Sequence, residues 1–378
     1  MMKTPPTDSW SLGAFNSALD YMLVGPETGG GEYANWTIFH EIGHSLGLKH
    51  THKETNGLPP LATIGKYMDN EKYSVMSYNG ASSGTAYGHV VSMMALDVAA
   101  LQALYGAEDY ATGDSTYSLL NAQGGGLDLT EGDVSIGRAY YCIWDSGGTD
   151  TIDYASSGQS VLINLNDATL DTSGVAAEVK SVISALKTSA FYKSMASALQ
   201  QEIVDEWHHA GGFFSHVLTK ASGAYKAIAG GFSIAHDAVI ENATGGDVAD
   251  LLIGNEGANI LTGQGGNDTL LGSGGVDILI GGAGNDRLDG GKGVDTLTGD
   301  AGNDRFVFSN GYGADTITDF ADGDIIDLKR LTDFTGYADL FNNKMAQSGD
   351  DVVITVGTDQ LIIEGIDKAD LSKADFLI

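Results

Sequence analysis

Between residues 245 and 307 one large apolar residue recurs every nine positions: Leu252, Leu261, Leu270, Leu279, Leu288, Leu297 and Phe306. Each stands in a short x-U-x segment, where U is the large apolar residue. This pattern predicts a brief strand with one inward side chain, repeated until the side chains stack as a core. Upstream the period changes. Val175, Val179, Val182, Ile183 and Leu186 share one helical face, and Phe191, Met195, Leu199, Ile203 and Trp207 stand four apart. That spacing predicts a helical insertion over about 168–230. Residues 113–166 break into short apolar runs such as Val161-Leu-Ile-Asn-Leu-Asn, read as strands and turns. Alternating runs at 351–356 and 361–364 predict closing strands. No apolar run approaches the length of a membrane span.

Glycine and acid then give the nine-residue period a chemistry. The chain has 378 residues, of which 53 are glycine, and its 50 acidic against 19 basic residues leave a net charge of −31. Such a charge disfavours nucleic acid and anionic membrane surfaces. Many of the acids lie inside seven consecutive nonapeptides, opened by Gly245, Gly254, Gly263, Gly272, Gly281, Gly290 and Gly299. They follow G-G-x-G-x-D-x-U-x, a calcium-binding pattern. The glycines allow tight turns that expose carbonyl oxygens, and the aspartate adds a charged one. Calcium takes six to eight hard oxygens of this kind. Without it, stacked aspartates repel, so the segment is expected to fold only with bound ions. The single cysteine, Cys142, excludes an intramolecular disulfide and reads as a buried thiol in an apolar strand.

A second chemistry lies near the start. Residues 40–50 read H-E-I-G-H-S-L-G-L-K-H. On a helix His40 and His44 share a face, and Gly47 allows a sharp exit that returns His50 as a third ligand. Three imidazoles and a water make an open catalytic zinc site. Glu41 is placed as general base. The longer motif is a metzincin signature, whose second element is a Met-turn. Downstream of His50, Ser74-Val-Met-Ser-Tyr78 supplies that element, with Met76 at its centre.

With both elements present, the chain resembles the serralysin family of bacterial proteases, over about residues 30–166 and 230–378. Other matching segments are Met93–Gly106, Trp144–Asp150 and Ser233–Glu241. The resemblance implies an apolar floor at Met76 and a role for Tyr78 both as a zinc ligand and in stabilising the tetrahedral intermediate. It implies calcium between repeats n and n+2, pairing Asp250 with Asp268, Asp268 with Asp286 and Asp286 with Asp304. On the other side it pairs Asn259 with Asp277 and Asp277 with Asp295. Asn259 lacks one charge, and Val248 replaces a turn glycine, so their sites are expected to be weaker. The full expected set adds Gly246, Asn255, Gly257, Gly263, Gly265, Gly266, Gly272, Gly274, Gly275, Gly281, Gly282, Ala283, Gly284, Gly290, Gly299, Ala301 and Asp304. Outside the repeats the resemblance points to Gly113, Ser115, Asp145, Gly147, Gly148, Asp150 and Glu241, and Asp315, Asp319, Asp322 and Asp324 are candidates for a capping ion.

The expected fold is an α+β metzincin-like zinc protease domain followed by an all-β parallel β-roll with a helical insertion. Residues 1–110 would form the catalytic domain, short at its N-terminus because His40 stands so near the start. Residues 111–244 would open the β domain and contain the insertion, 245–307 would form the roll, and 308–378 would close it. The reading is a secreted zinc endopeptidase with one zinc and several calcium ions, acting as a monomer on proteins or peptides. Export would use a type I secretion apparatus without a cleaved N-terminal signal, and Asp375-Phe-Leu-Ile378 resembles the family's C-terminal ending. Two other classes compete: a calcium-dependent binding protein with an inactive zinc fold, and a lipase using Gly80-Ala-Ser-Ser-Gly84, whose G-x-S-x-G lacks the required strand and helix. His208, His209 and His216 read as surface histidines of the insertion.

Overall fold

The nine-residue period becomes a coil with two strands per turn. In the computed structural model the residues described are 33–48, 50–51, 73–78, 92–107, most of 109–167, parts of 183–201, and 215–378 apart from 222–223. Alternate nonapeptides lie in opposite sheets. Strand Leu251–Ile253 pairs in parallel with Thr269–Leu271, which pairs with Arg287–Asp289 and then with Arg305–Ser309. The facing sheet stacks Ile260–Thr262, Ile278–Ala283 and Thr296–Ala301 in the same way. Each strand pairs with the next but one nonapeptide, so two nonapeptides make one turn of the roll. Leu252, Leu261, Leu270, Leu279, Leu288, Leu297 and Phe306 are all buried between the sheets. Burying both inner faces in this way is what a parallel sheet needs.

The sheets extend beyond the repeats at both ends. One has 12 strands and the other 10 among the described residues. Upstream, Thr116–Ser118, Thr151–Asp153 and Asn242–Thr244 lead into the first sheet, and Val161–Asn164 pairs with Leu251–Ile253 in the second. Downstream, Asp351–Val356 lies antiparallel to Asp359–Ile363 and Met345–Ser348. The strand Phe376–Leu377 adds to the edge at Ile326–Asp327. Two helices stand before the sheets, α1 (Tyr33–Ser45) and α2 (Ala95–Tyr105). The described chain is therefore mostly β with parallel-strand sheets.

The expected helical insertion ends earlier than about 230. Helical turns occur at Ala190–Lys193 and near 199–201, where Met195 and Leu199 are buried. Residues Ser215–Ala221 and Ala224–Ile234 instead form an antiparallel hairpin wedged between Val161–Asn164 and Tyr140–Ile143. Unpaired edges on both neighbours supply hydrogen bonds that outweigh a helical period. His216 belongs to this hairpin, paired with Leu162 and Gly231. Residues 79–91, with the Gly80–Gly84 motif, and His208 and His209 lie outside the described residues.

Candidate zinc and calcium centres

Helix α1 ends in a Schellman cap. Gly47 adopts φ +95°, Leu48 N–H donates to Gly43 O at 2.9 Å, and Gly47 N–H donates to His44 O at 3.1 Å. The chain reverses there, and His50 returns to face His40 and His44. His50 Nε2 lies 3.0 Å from His40 Nε2 and 3.1 Å from His44 Nε2. Tyr78 brings its hydroxyl within 2.9 Å of His50 Nε2 and 3.4 Å of His40 Nε2. The other ring nitrogens are held by carbonyls, which only accept. His40 Nδ1–H donates to Val75 O at 2.7 Å, and His44 Nδ1–H to Leu48 O at 3.1 Å. Both rings therefore turn a bare Nε2 lone pair to the common point. Burial lowers the His40 pKa, with His44 and His50 adding to the effect against the Val75 hydrogen bond. Convergent neutral imidazoles repel unless a cation lies between them, and this donor set fits one divalent ion. Glu41 follows His40 on α1 and is exposed.

Met76 is buried beneath this point, and its sulfur packs on α1 at Gly43. What holds the turn is a residue that the spacing did not single out. Asp97, in the first turn of α2, is 2% exposed. Its carboxylate accepts from Ser74 Oγ at 2.6 Å, Val75 N at 2.7 Å and Met94 N at 3.0 Å. Ser74 Oγ in turn accepts from Met76 N at 3.0 Å. Burial raises the Asp97 pKa to about 6, against the lowering by its hydrogen bonds. Asp97 thus anchors the loop whose Val75 carbonyl orients His40.

The repeat aspartates form two ladders. Asp250, Asp268 and Asp286 each donate a backbone N–H to the carboxylate one turn on, at 2.7–2.8 Å, ending at Asp304. Asn259 and Asp277 do the same toward Asp277 and Asp295, both at 2.9 Å. Only one oxygen of each acceptor is used. The second oxygens of Asp150, Asp268, Asp277, Asp286, Asp295, Asp304 and Asp315 are buried without a hydrogen-bond partner. These oxygens lie in a cradle with backbone carbonyls. A Cβ at Gly281 would lie 2.5 Å from Asp286 Oδ2 and 2.9 Å from Gly299 O. Burial, with neighbouring carboxylates adding to it, pushes Asp268 up to about 9, and Asp277 and Asp315 to about 8. Orphaned carboxylate oxygens beside carbonyls are the donor set of calcium.

The ladders run past the repeats and close at defined points. Ser115 N–H donates to Asp150 at 2.7 Å, and Asp150 N–H to Glu241 at 2.7 Å. Gly148 packs on Gly113, where a Cβ would meet its carbonyl at 2.6 Å. Asp145 accepts from Tyr117 OH at 2.6 Å and from Gly147 N at 3.1 Å. The seven expected upstream residues are thus brought together. At the far end Asp295 N–H reaches Asp315, and Asp304 N–H reaches Asp324. Asp324 uses its second oxygen on Ala321 N at 2.8 Å, and Asp319 accepts from Gly299 and Asp300. Asp322 is exposed and joins neither ladder. Of the four expected capping acids, Asp315 alone has a buried orphan oxygen. Asn259 spends its amide on Glu241 O at 2.9 Å and Asn255 Oδ1 at 3.2 Å. Asp250 accepts from both Val161 N and Gly246 N.

Comparison with known proteins places the β region and its repeats. Residues 244–279 and 271–306 match the RTX calcium-binding nonapeptide repeat. Residues 109–193 match the serralysin C-terminal region of peptidase family M10. The chain carries RTX repeats next to a serralysin-type C-terminal segment, and its similarity to serralysin-type metalloproteases extends further. The metalloprotease AprA of Pseudomonas entomophila is 31% identical over 267 residues, 67% of this chain and 42% of that protein. Serralysin of Photorhabdus laumondii is 28% identical over 265 residues, 68% of this chain and 44% of that protein. The chain thus spans less than half the length of these relatives. Among solved structures, the extracellular lipase LipA of Serratia marcescens aligns at 16% identity over 73% of this chain and 41% of its own, with a TM-score of 0.25. That score is too low to define a shared fold.

Proposed function

We propose that the chain is a secreted, zinc-dependent endopeptidase with a metzincin-like catalytic unit, folded and stabilised by calcium. The observation that carries this reading is the convergence of the His40, His44 and His50 Nε2 atoms on one point, with Tyr78 beside them. Similarity to proteins named metalloprotease and serralysin supports it. The three histidines would hold zinc. When bound, zinc supplies Lewis acidity that brings a water's pKa toward about 7 and polarises the scissile carbonyl. Glu41 takes the proton of the attacking water and delivers it to the leaving amine. Tyr78, 55% exposed, would donate its hydroxyl to the developing oxyanion. Val75 O and Leu48 O fix the tautomers of His40 and His44, and Met76 supplies an apolar floor.

In the same proposal calcium lies between turns, held by the orphaned aspartate oxygens, by repeat carbonyls such as those of Gly281 and Gly299, and upstream by the group from Gly113 to Glu241. Residues 1–110 would belong to the catalytic unit and 111–378 to the calcium-bound β region. No described helix is long and apolar enough to cross a membrane. Export through a type I apparatus, with Asp375–Ile378 as part of its signal, completes the reading, with unfolded proteins or peptides as substrates. Metal analysis of the chain and two variants tests the site. Wild type and Glu41→Ala are expected to hold one zinc tightly and His44→Ala to bind it far more weakly, while Glu41→Ala cuts peptide hydrolysis by about 10²–10⁴. Full activity in Glu41→Ala would refute the mechanism.

A further inference from the structure

Helix α2 touches the proposed zinc site at both ends. Its first turn carries Asp97, which reaches the Met76 loop. Its last residue, Tyr105, donates its hydroxyl to Leu46 O at 2.8 Å, across 59 positions of sequence. Leu46 is the last residue of the Schellman turn before Gly47. The cap bonds satisfy Ile42, Gly43 and His44 carbonyls through Leu46, Leu48 and Gly47 N–H groups. The Leu46 carbonyl points away from them, and there it meets Tyr105. The next carbonyl but one, Leu48 O, accepts from His44 Nδ1. From Gly47 the same turn leads to His50. A shift at Leu46 therefore moves Leu48 O, the group that aims His44. His40 is aimed separately, by Val75 O on the Met76 loop.

The geometry points to Tyr105 as a positioning residue for the metal centre, acting on His44 through the Gly47 turn. This inference rests on the zinc reading above. Tyr105 touches no reacting atom. Tyr105 is 61% exposed and lies outside the buried core, so its contribution is the hydroxyl bond and not core packing. Phenylalanine keeps the ring and removes the donor. One solvent-facing hydrogen bond bounds the effect, and an outer partner of a metal ligand passes part of it to affinity. The expected loss is about 3- to 10-fold in zinc affinity.

The test is zinc competition against a chromophoric chelator, on the full chain in millimolar calcium, with the cobalt(II) visible spectrum as a second readout. Tyr105→Phe is expected to weaken zinc by that factor and to shift the cobalt bands, with the calcium midpoint of folding unchanged. Because Tyr105 acts through His44, the change should vanish, to within about twofold, in a His44→Ala background. It should persist in a His40→Ala background. Equal losses in both backgrounds, or a calcium midpoint that moves in step, would mean general support of the fold and would overturn the proposal. Unchanged zinc affinity in Tyr105→Phe overturns it while leaving the zinc reading intact. A wild-type chain that binds no zinc overturns the zinc reading, and the role of Tyr105 with it.

Discussion

A side chain at Gly43 must displace the buried Met76, since a Cβ there would lie 2.5 Å from Met76 Sδ. The glycine lets the methionine floor approach α1 between the turns that carry His40 and His44. Gly43→Ala is expected to cost about 1–3 kcal/mol by overpacking, read from urea unfolding, and to weaken zinc as Met76 and Val75 shift. Asp97→Ala should be at least as costly. It strands Val75 N and Met94 N in a buried site, where each unmet donor costs about 1–3 kcal/mol. The histidines were legible in the sequence because a helix fixes which residues share a face and Gly47 marks the exit. Asp97 was not, because a hydrogen bond from a helix to a distant upstream loop leaves no period behind. A lone acid in Ala-Leu-Asp-Val reads as a first-turn helix residue, which it also is.

At the scale of the repeat, every nonapeptide but the one opened by Gly254 combines a buried apolar residue, a ladder aspartate and a cradle of carbonyls. The stacked apolar core and the aspartate of each turn were readable because they recur, and the pairing of repeats n and n+2 was what the family resemblance implied. The breaks are as informative as the rule. Asn259 fills its place with hydrogen bonds to Glu241 O and Asn255, so no orphan oxygen remains there. Asn259→Asp replaces that donor with a charge. The variant is expected to be less stable than wild type in EDTA and more stable in millimolar calcium, with one more ion bound per chain. Thermal melts and calcium stoichiometry check this, and equal stability in both conditions would count against the ladder. The hairpin at 215–234 was missed for a different reason. Its residues do not alternate cleanly, and the neighbouring strands that make it a β-structure lie far off in sequence.

For the whole molecule, bound cations set the conditions of folding. Asp268, Asp277 and Asp315 have their pKa values pushed up by burial and by neighbouring carboxylates, to between about 8 and about 9. A carboxyl whose folded pKa is raised stabilises the fold below its unfolded value, near 4, and loses that contribution as pH rises through the folded one. In EDTA the roll is therefore expected to be most stable near pH 4 to 5 and to weaken steadily toward pH 9. Calcium displaces the same protons, so in millimolar calcium the slope should reverse over that range. Urea midpoints followed by circular dichroism at several pH values test both signs. In the proposed reading, a roll that is weak in low calcium and stable in high calcium suits export in the unfolded state followed by folding outside.

The most direct test of the account varies the two metals separately in one assay, cleavage of unfolded casein by the 378-residue chain. The account predicts cleavage when zinc and millimolar calcium are both present. It predicts loss of cleavage with a zinc-selective chelator while the roll stays folded, and loss in Glu41→Ala with zinc still bound. A folded roll with one zinc bound and no cleavage would contradict the peptidase and leave a calcium-dependent protein with an inert zinc site.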